Sequence, residues 1–290
     1  MQMNRAASIC DVRNSLGWRP SLPDYRDLGV DSPEVSDLLE RLKARDRNDG
    51  DDSNVDLREF FLPIREQLEH PGGVAQAAVD LIEYFDVRCL GRMVRLSSQF
   101  VLHSARAVMD ESTPESVDFR SIWKAVRRFG VPDERLWRPN TQAAGEEPPS
   151  YLYAFDDACR SLQYIRLDRR NQSGKKTLRT VRKFLNAGFP VAFGIGLPES
   201  SLLTGTFLYR PALDVVARGH ALVAVGYDDR RLCATRGALL VRNSWGTRWG
   251  DSGYGWLPYS FVEQQLAVDF WTVVRDDWID SRELSRPALG

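Results

Sequence analysis

The apolar residues change period partway along the chain, and that change limits the folds open to it. In VAQAAVDLIEYFD (74–86), Val74, Ala77, Ala78, Leu81, Ile82 and Phe85 recur at the spacing that lines one face of a helix. The stretches LSSQFVLHSARAVM (96–109) and about 117–128, with Phe119, Ile122, Trp123 and Val126, repeat the pattern, and Gly130 and Pro132 end it. A short amphipathic helix is expected over 34–46. Beyond residue 160 the short segments QYIRLD (163–168), PVAFGIGL (190–197), HALVAVGYD (220–228), GALLVRNSW (237–245) and FWTVVRD (270–276) are apolar and rich in β-branched residues, as strands are. One further helix, KTLRTVRKFLNAG (176–188), lies among them. The expectation is an α+β protein: helices first, then a curved antiparallel sheet or barrel.

Size and charge narrow the class. The chain has 290 residues, with 39 Lys and Arg against 40 Asp and Glu, a formal net charge of −1. That balance gives no electrostatic reason to expect nucleic acid as a partner. Cys10, Cys89, Cys159 and Cys233 are scattered without metal-ligand spacing, which suits buried thiols in a reducing compartment. The opening residues carry no apolar signal core, and no window is apolar enough for a membrane helix, so a cytoplasmic location without membrane association is expected. Residues 1–54 read as an arm with three prolines and a short helix, 55–150 as a helical lobe and 151–290 as a β lobe.

The chemistry-bearing residues cluster late. GHALVAVGYDD (219–229) leads into ALLVRNSWGTRWGDSGYGWLP (238–258), and VDLREFFLPIREQ (55–67) stands upstream. Together these segments resemble the papain family of cysteine peptidases. LSSQFVL (96–102), GVPDERLW (130–137) and the arm GWRPSLPDYRD (17–27) resemble its bacterial branch. The resemblance implies a papain-like two-lobe fold, with a helical left lobe and an antiparallel β-barrel right lobe across a substrate cleft. It also implies a thiolate at a helix N-terminus beside a His, an Asn that orients the His, and a Gln that helps hold the oxyanion. Here His220 matches the His, Asn243 the Asn and Gln67 the Gln. Trp245 would shield the His–Asn bond, and Gly219 precedes the His.

The nucleophile is where the match breaks. The family's cysteine follows the Gln by six residues, and that position here is Gly73, after Gly72. The helix pattern continues from it in register. Leu68 and His70-Pro71 also depart from the family's loop. Cys89 lies sixteen residues further on, about 24 Å along a helix. Loss of a nucleophile costs on the order of 10⁶ in kcat. The sequence therefore points to a papain-like pseudo-peptidase that binds a peptide or protein segment in the former cleft, or serves beside an enzyme in a larger assembly. Two alternatives stand: an active peptidase whose Cys was exchanged at position 73, and an interaction protein whose cleft is blocked by its own arm. No cofactor or metal is expected; His70 with His220 would make a poor zinc site. The N–H groups at Gly72-Gly73 could instead receive a carboxylate. The basic run from Arg169 to Lys183 reads as a solvated helix face.

Overall fold

The computed structural model describes residues 17–43, 53–65, 72–109, 116–137, 146–154, 158–198, 207, 216–232 and 236–280. The helices expected from the first half form: α1 (Pro33–Lys43), α2 (Gly73–Leu90), α3 (Ser98–Met109) and α4 (Phe119–Phe129). Their ends follow local chemistry. Gly91 closes α2 at φ 64° and donates its N–H to the last turn. The Asp118 carboxylate caps α4 by accepting from Ser121 N–H at 3.0 Å. Later come α5 (Gly174–Asn186), α6 (Tyr259–Glu263) and α7 (Asp276–Asp280).

The strands are β1 (Leu28–Gly29), β2 (Asn54–Asp56), β3 (Gln163–Arg166), β4 (Val191–Pro198), β5 (Val216–Leu232), β6 (Arg236–Arg242), β7 (Tyr254–Pro258) and β8 (Ala267–Val274). They join in one eight-stranded sheet ordered β1-β3-β8-β4-β5-β6-β7, with β2 pairing on β5. Every pairing is antiparallel except β1 on β3, a two-residue edge supplied by the arm.

Helix α2 departs from the one-sided pattern of its sequence. It is buried on nearly every side, including Gln76, Asp80 and Glu83, because it lies between the other helices and the sheet. Its apolar residues meet the aromatic core, where Phe85 stacks on Trp278 with ring centroids 4.6 Å apart. Its polar residues meet charge. Asp80 pairs with Arg242 at 2.8 Å, at the end of β6, and accepts from Gln76 at 2.9 Å. Arg242 also donates to the Tyr254 hydroxyl at 2.9 Å and to the Pro63 carbonyl at 3.3 Å. Glu83 pairs with Arg65 and accepts the Leu96 N–H at 2.7 Å. Burial pushes the Glu83 carboxyl up and Asp80 adds to the push, against the pull of Arg65, Arg95 and the Leu96 N–H. The Asp80–Arg242 pair joins helix to sheet, and the Glu83–Arg65 pair ties the helix to the segment that precedes it.

A buried ion pair costs most when one partner is lost. Replacing Asp80 alone with Ala should lower unfolding stability by about 3–5 kcal/mol in chemical denaturation. The double change Asp80→Ala, Arg242→Met should recover much of that loss, because no unpaired charge then remains buried.

Candidate active site

His220 sits on β5, opposite Ile195 of β4, and is 1% exposed. The sheet brings Asn243 to it: Asn243 follows Arg242 where β6 ends, and its own N–H is held by the Gly253 carbonyl at 3.0 Å. His220 Nε2 and Asn243 Oδ1 are 2.8 Å apart. The same Oδ1 accepts the Ser244 N–H at 2.8 Å, which fixes it as the acceptor atom of the amide. Nε2 must therefore carry the hydrogen, and the neutral ring leaves Nδ1 as a bare acceptor.

Trp245 covers this bond. Its ring stacks on the imidazole with centroids 4.4 Å apart, and Trp249 meets it edge-on at 6.0 Å. The turn that carries both tryptophans depends on glycine. Gly246 and Gly253 have φ of 77° and 91°, and a Cβ on Gly253 would come within 2.6 Å of Ile64. The turn is tied to the segment entering α2 by the Gly246 N–H on the Arg65 carbonyl, 3.1 Å.

Helix α2 starts at Gly73, with Gly72 as its N-cap, so its first turn has neither a capping side chain nor an acidic residue. His220, Asn243 and Trp245 are thus brought together as the sequence implies, and Gly219 lies beside them. Gln67, Leu68 and His70 lie outside the described residues, so the oxyanion and metal expectations that rest on them have no structural account. Among the described residues, no group of three or more His, Cys, Asp or Glu could hold a metal. No helix among them is long and apolar enough to cross a membrane. Cys89 and Cys159 are buried; Cys10 and Cys233 lie outside the described residues. The basic run is exposed at Lys175, Lys176, Arg179 and Lys183, but Arg182 pairs with Asp229 at 2.6 Å.

The arm is the component the site motifs did not reveal. Trp18 donates its N–H to the Gly219 carbonyl at 3.2 Å, next to His220. On its other side it bridges Val117 of the helical half in parallel: Val117 N–H donates to Gly17 and Arg19 N–H to Val117, at 2.8 and 3.2 Å. The indole lies where two glycines leave room. A Cβ on Gly194 would fall 1.8 Å from the ring, and one on Gly219 would fall 2.2 Å from the Trp18 carbonyl oxygen. The indole Nε1 donates to Asp269 Oδ2 at 3.2 Å, and the same carboxylate receives Ser21 N–H and Oγ at 3.0 and 3.1 Å. Burial raises the Asp269 carboxyl; Arg166, at 3.4 Å, and these donors lower it. A single Asp inside the apolar run AVDFWTVV was the available sequence signal for this anchor.

Two results are expected from this geometry. Burial lowers the His220 pKa to about 4, against the upward pull of the Asn243 hydrogen bond. The folded state therefore binds fewer protons than the unfolded state between about 4 and the ordinary 6.5. This contribution to stability is complete above that window and is lost as pH falls through it. An NMR titration of the ring should give a midpoint near 4, and Asn243→Ala should move it lower still. In addition, Gly194→Ala should eject the indole. A red shift of tryptophan emission with new quencher access would show it, at a cost of about 1–3 kcal/mol.

Residues 53–264 match the family model described as papain family cysteine protease. An uncharacterized peptidase C1-like protein, L477, of Acanthamoeba polyphaga mimivirus is 25% identical over 276 residues, covering 90% of this chain and 87% of that one. Among solved structures, xylellain, a cysteine protease from Xylella fastidiosa, superposes with a TM-score of 0.69 at 22% identity, covering 95% of this chain and 99% of its own. Procathepsin B S9 from Trypanosoma congolense superposes with a TM-score of 0.64 at 14% identity, covering 92% and 88%. The two solved structures share the fold, and the family match spans well over half the sequence: this chain belongs to the papain family of cysteine proteases.

Proposed function

We propose that this protein is a papain-family pseudo-peptidase that holds an extended polypeptide in its cleft and does not cut it. The observation that carries the reading is the start of α2. The helix that would present the nucleophile opens on Gly73, which has no side chain to attack a carbonyl, while the His–Asn–Trp arrangement stands complete. Without a nucleophile, an imidazole and its orienting amide cannot form an acyl-enzyme. The cleft retains what binding needs: backbone carbonyls and N–H groups at Gly219 and Val117, and a pocket floored by glycine. The arm around Trp18 makes the contacts at Gly219 and Val117, so an external peptide or a partner subunit's segment taking those same contacts would have to displace it.

A second reading is favoured by the same intact His220–Asn243 pair: a live peptidase whose cysteine was exchanged at position 73. A Cys codon at position 73 of the natural coding sequence selects that reading.

The test is a paired assay of the parent and Gly73→Cys with fluorogenic peptides and iodoacetamide, with labelling mapped by mass spectrometry. The parent should neither hydrolyse nor label at position 73. The variant should label there with a thiol pKa well below the ordinary value of about 8.5. Adding His220→Ala should abolish that reactivity. Hydrolysis by the parent that disappears in His220→Ala, or a Gly73→Cys thiol that titrates like an isolated one, overturns the reading.

A further inference from the structure

The two halves of the site are each incomplete in a matching way. On the sheet, His220 Nδ1 is buried and has no hydrogen-bond partner among the described residues, although the ring is 1% exposed. On the helix, the first turn of α2 has a glycine N-cap, no capping side chain and no acidic residue. An eighteen-residue helix carries about half a positive charge at that end.

The register places these two features together. Asp80 of α2 holds Arg242, and Arg242 lies across from Val223 of β5. From Asp80 back to Gly73 is about 10 Å at 1.5 Å per residue. From Val223 back to His220 is also about 10 Å at roughly 3.3 Å per residue. The far half of α2 reaches Gly188, where the Tyr84 hydroxyl donates at 2.8 Å, just before β4 begins opposite Ala224. Helix and strand thus run in the same sense, and both paths lead back to the same end of the seam. Nε2 is committed to Asn243, so Nδ1, on another edge of the ring, is left for whatever lies at the start of α2.

We infer that this end of the cleft is a carboxylate-binding site, in which an acidic group of the bound polypeptide accepts from the first-turn N–H groups of α2 and from a protonated His220 Nδ1. The inference rests on the proposed binding function and names the ligand chemistry at its centre. The anion takes the place a thiolate would fill, and the ligand rather than the protein supplies it. The balance of the step is simple. A neutral imidazole and a carboxylate anion take up one proton from solvent to give an imidazolium–carboxylate pair held by the helix end. Among the described residues, burial and the Asn243 hydrogen bond set the free ring's charge, and no charged side chain of α2, β4, β6 or the described part of the arm adds to them. The ring is neutral at neutral pH, so binding must be coupled to proton uptake and must tighten as pH falls.

The carboxylate has two sources to separate, the C-terminus of a polypeptide or an Asp or Glu side group within one. Three peptides separate them: N-acetyl-trialanine with a free C-terminus, its amide, and N-acetyl-Ala-Glu-Ala-amide. Each is titrated by calorimetry into the unaltered protein and into Trp18→Ala, which removes the arm's indole, at about pH 7.5 and pH 5.5. The ring of His220 is followed by NMR in parallel. At least one acid should bind about tenfold more tightly than the neutral amide. Its affinity should rise about tenfold at the lower pH, with a proton taken up and the His220 midpoint raised. Gly73→Asp, which supplies a carboxylate from the protein itself, should raise the same midpoint without any peptide and suppress acid binding. Equal binding of acid and amide, pH-independent binding, acid binding unchanged in His220→Gln, or no acid binding to either protein at about 10 mM overturns the inference. If Gly73→Cys is reactive but no acid is preferred, the cleft stands and only the carboxylate site fails. If Gly73→Cys is inert as well, the binding function itself fails.

Discussion

The ion pair between Asp80 and Arg242 is the constraint on which the site depends. It joins the central helix to the last residue of β6, and Asn243 is the next residue in sequence. Moving either charge would shift the amide that fixes the His220 tautomer. Such pairs rarely add net stability over a well-packed apolar alternative. What this one supplies is position. Its partners (Gln76, Tyr254 and the Pro63 carbonyl) leave the guanidinium little freedom, and the helix register against the sheet is set with it.

The family's reaction would require a second positioned atom, at the start of α2. There the protein places two glycines and no side chain. The His–Asn pair is also structural: it satisfies Nε2, holds the Ser244 N–H, and gives Trp245 a flat surface to cover. Retaining it needs no catalytic explanation.

Much of this was legible in the sequence, and the gaps have physical causes. Helical spacing located α2, α3 and α4 within a few residues, because each presents a continuous apolar stripe. The burial of Gln76, Asp80 and Glu83 was not legible, because polar side chains at those positions read as the outer face of an amphipathic helix. Only the arrival of Arg242 and Arg65 from distant segments makes their burial tolerable. His220, Asn243 and Trp245 were legible through a local motif of three closely spaced residues and a glycine-marked strand. Trp18 and Asp269 were not. Their contact spans 251 positions; Trp18 lies in the matched segment GWRPSLPDYRD, but nothing in that segment points to Asp269. The aspartate's place in an apolar strand was the one available clue.

The arm and its pocket belong to one molecule. From Trp18 the backbone runs only ten residues to β1, which is paired into the sheet beside β3. A tether that short holds the indole near its pocket at an effective concentration on the order of millimolar. A free peptide making the same contacts competes against that standing level at every moment. Under the proposed binding function, that competition would screen out weak, abundant segments and favour a ligand with an added attachment point or one delivered at high local density by an assembly. In that function, tether length would set a selectivity threshold of its own, independent of the side chains around the pocket.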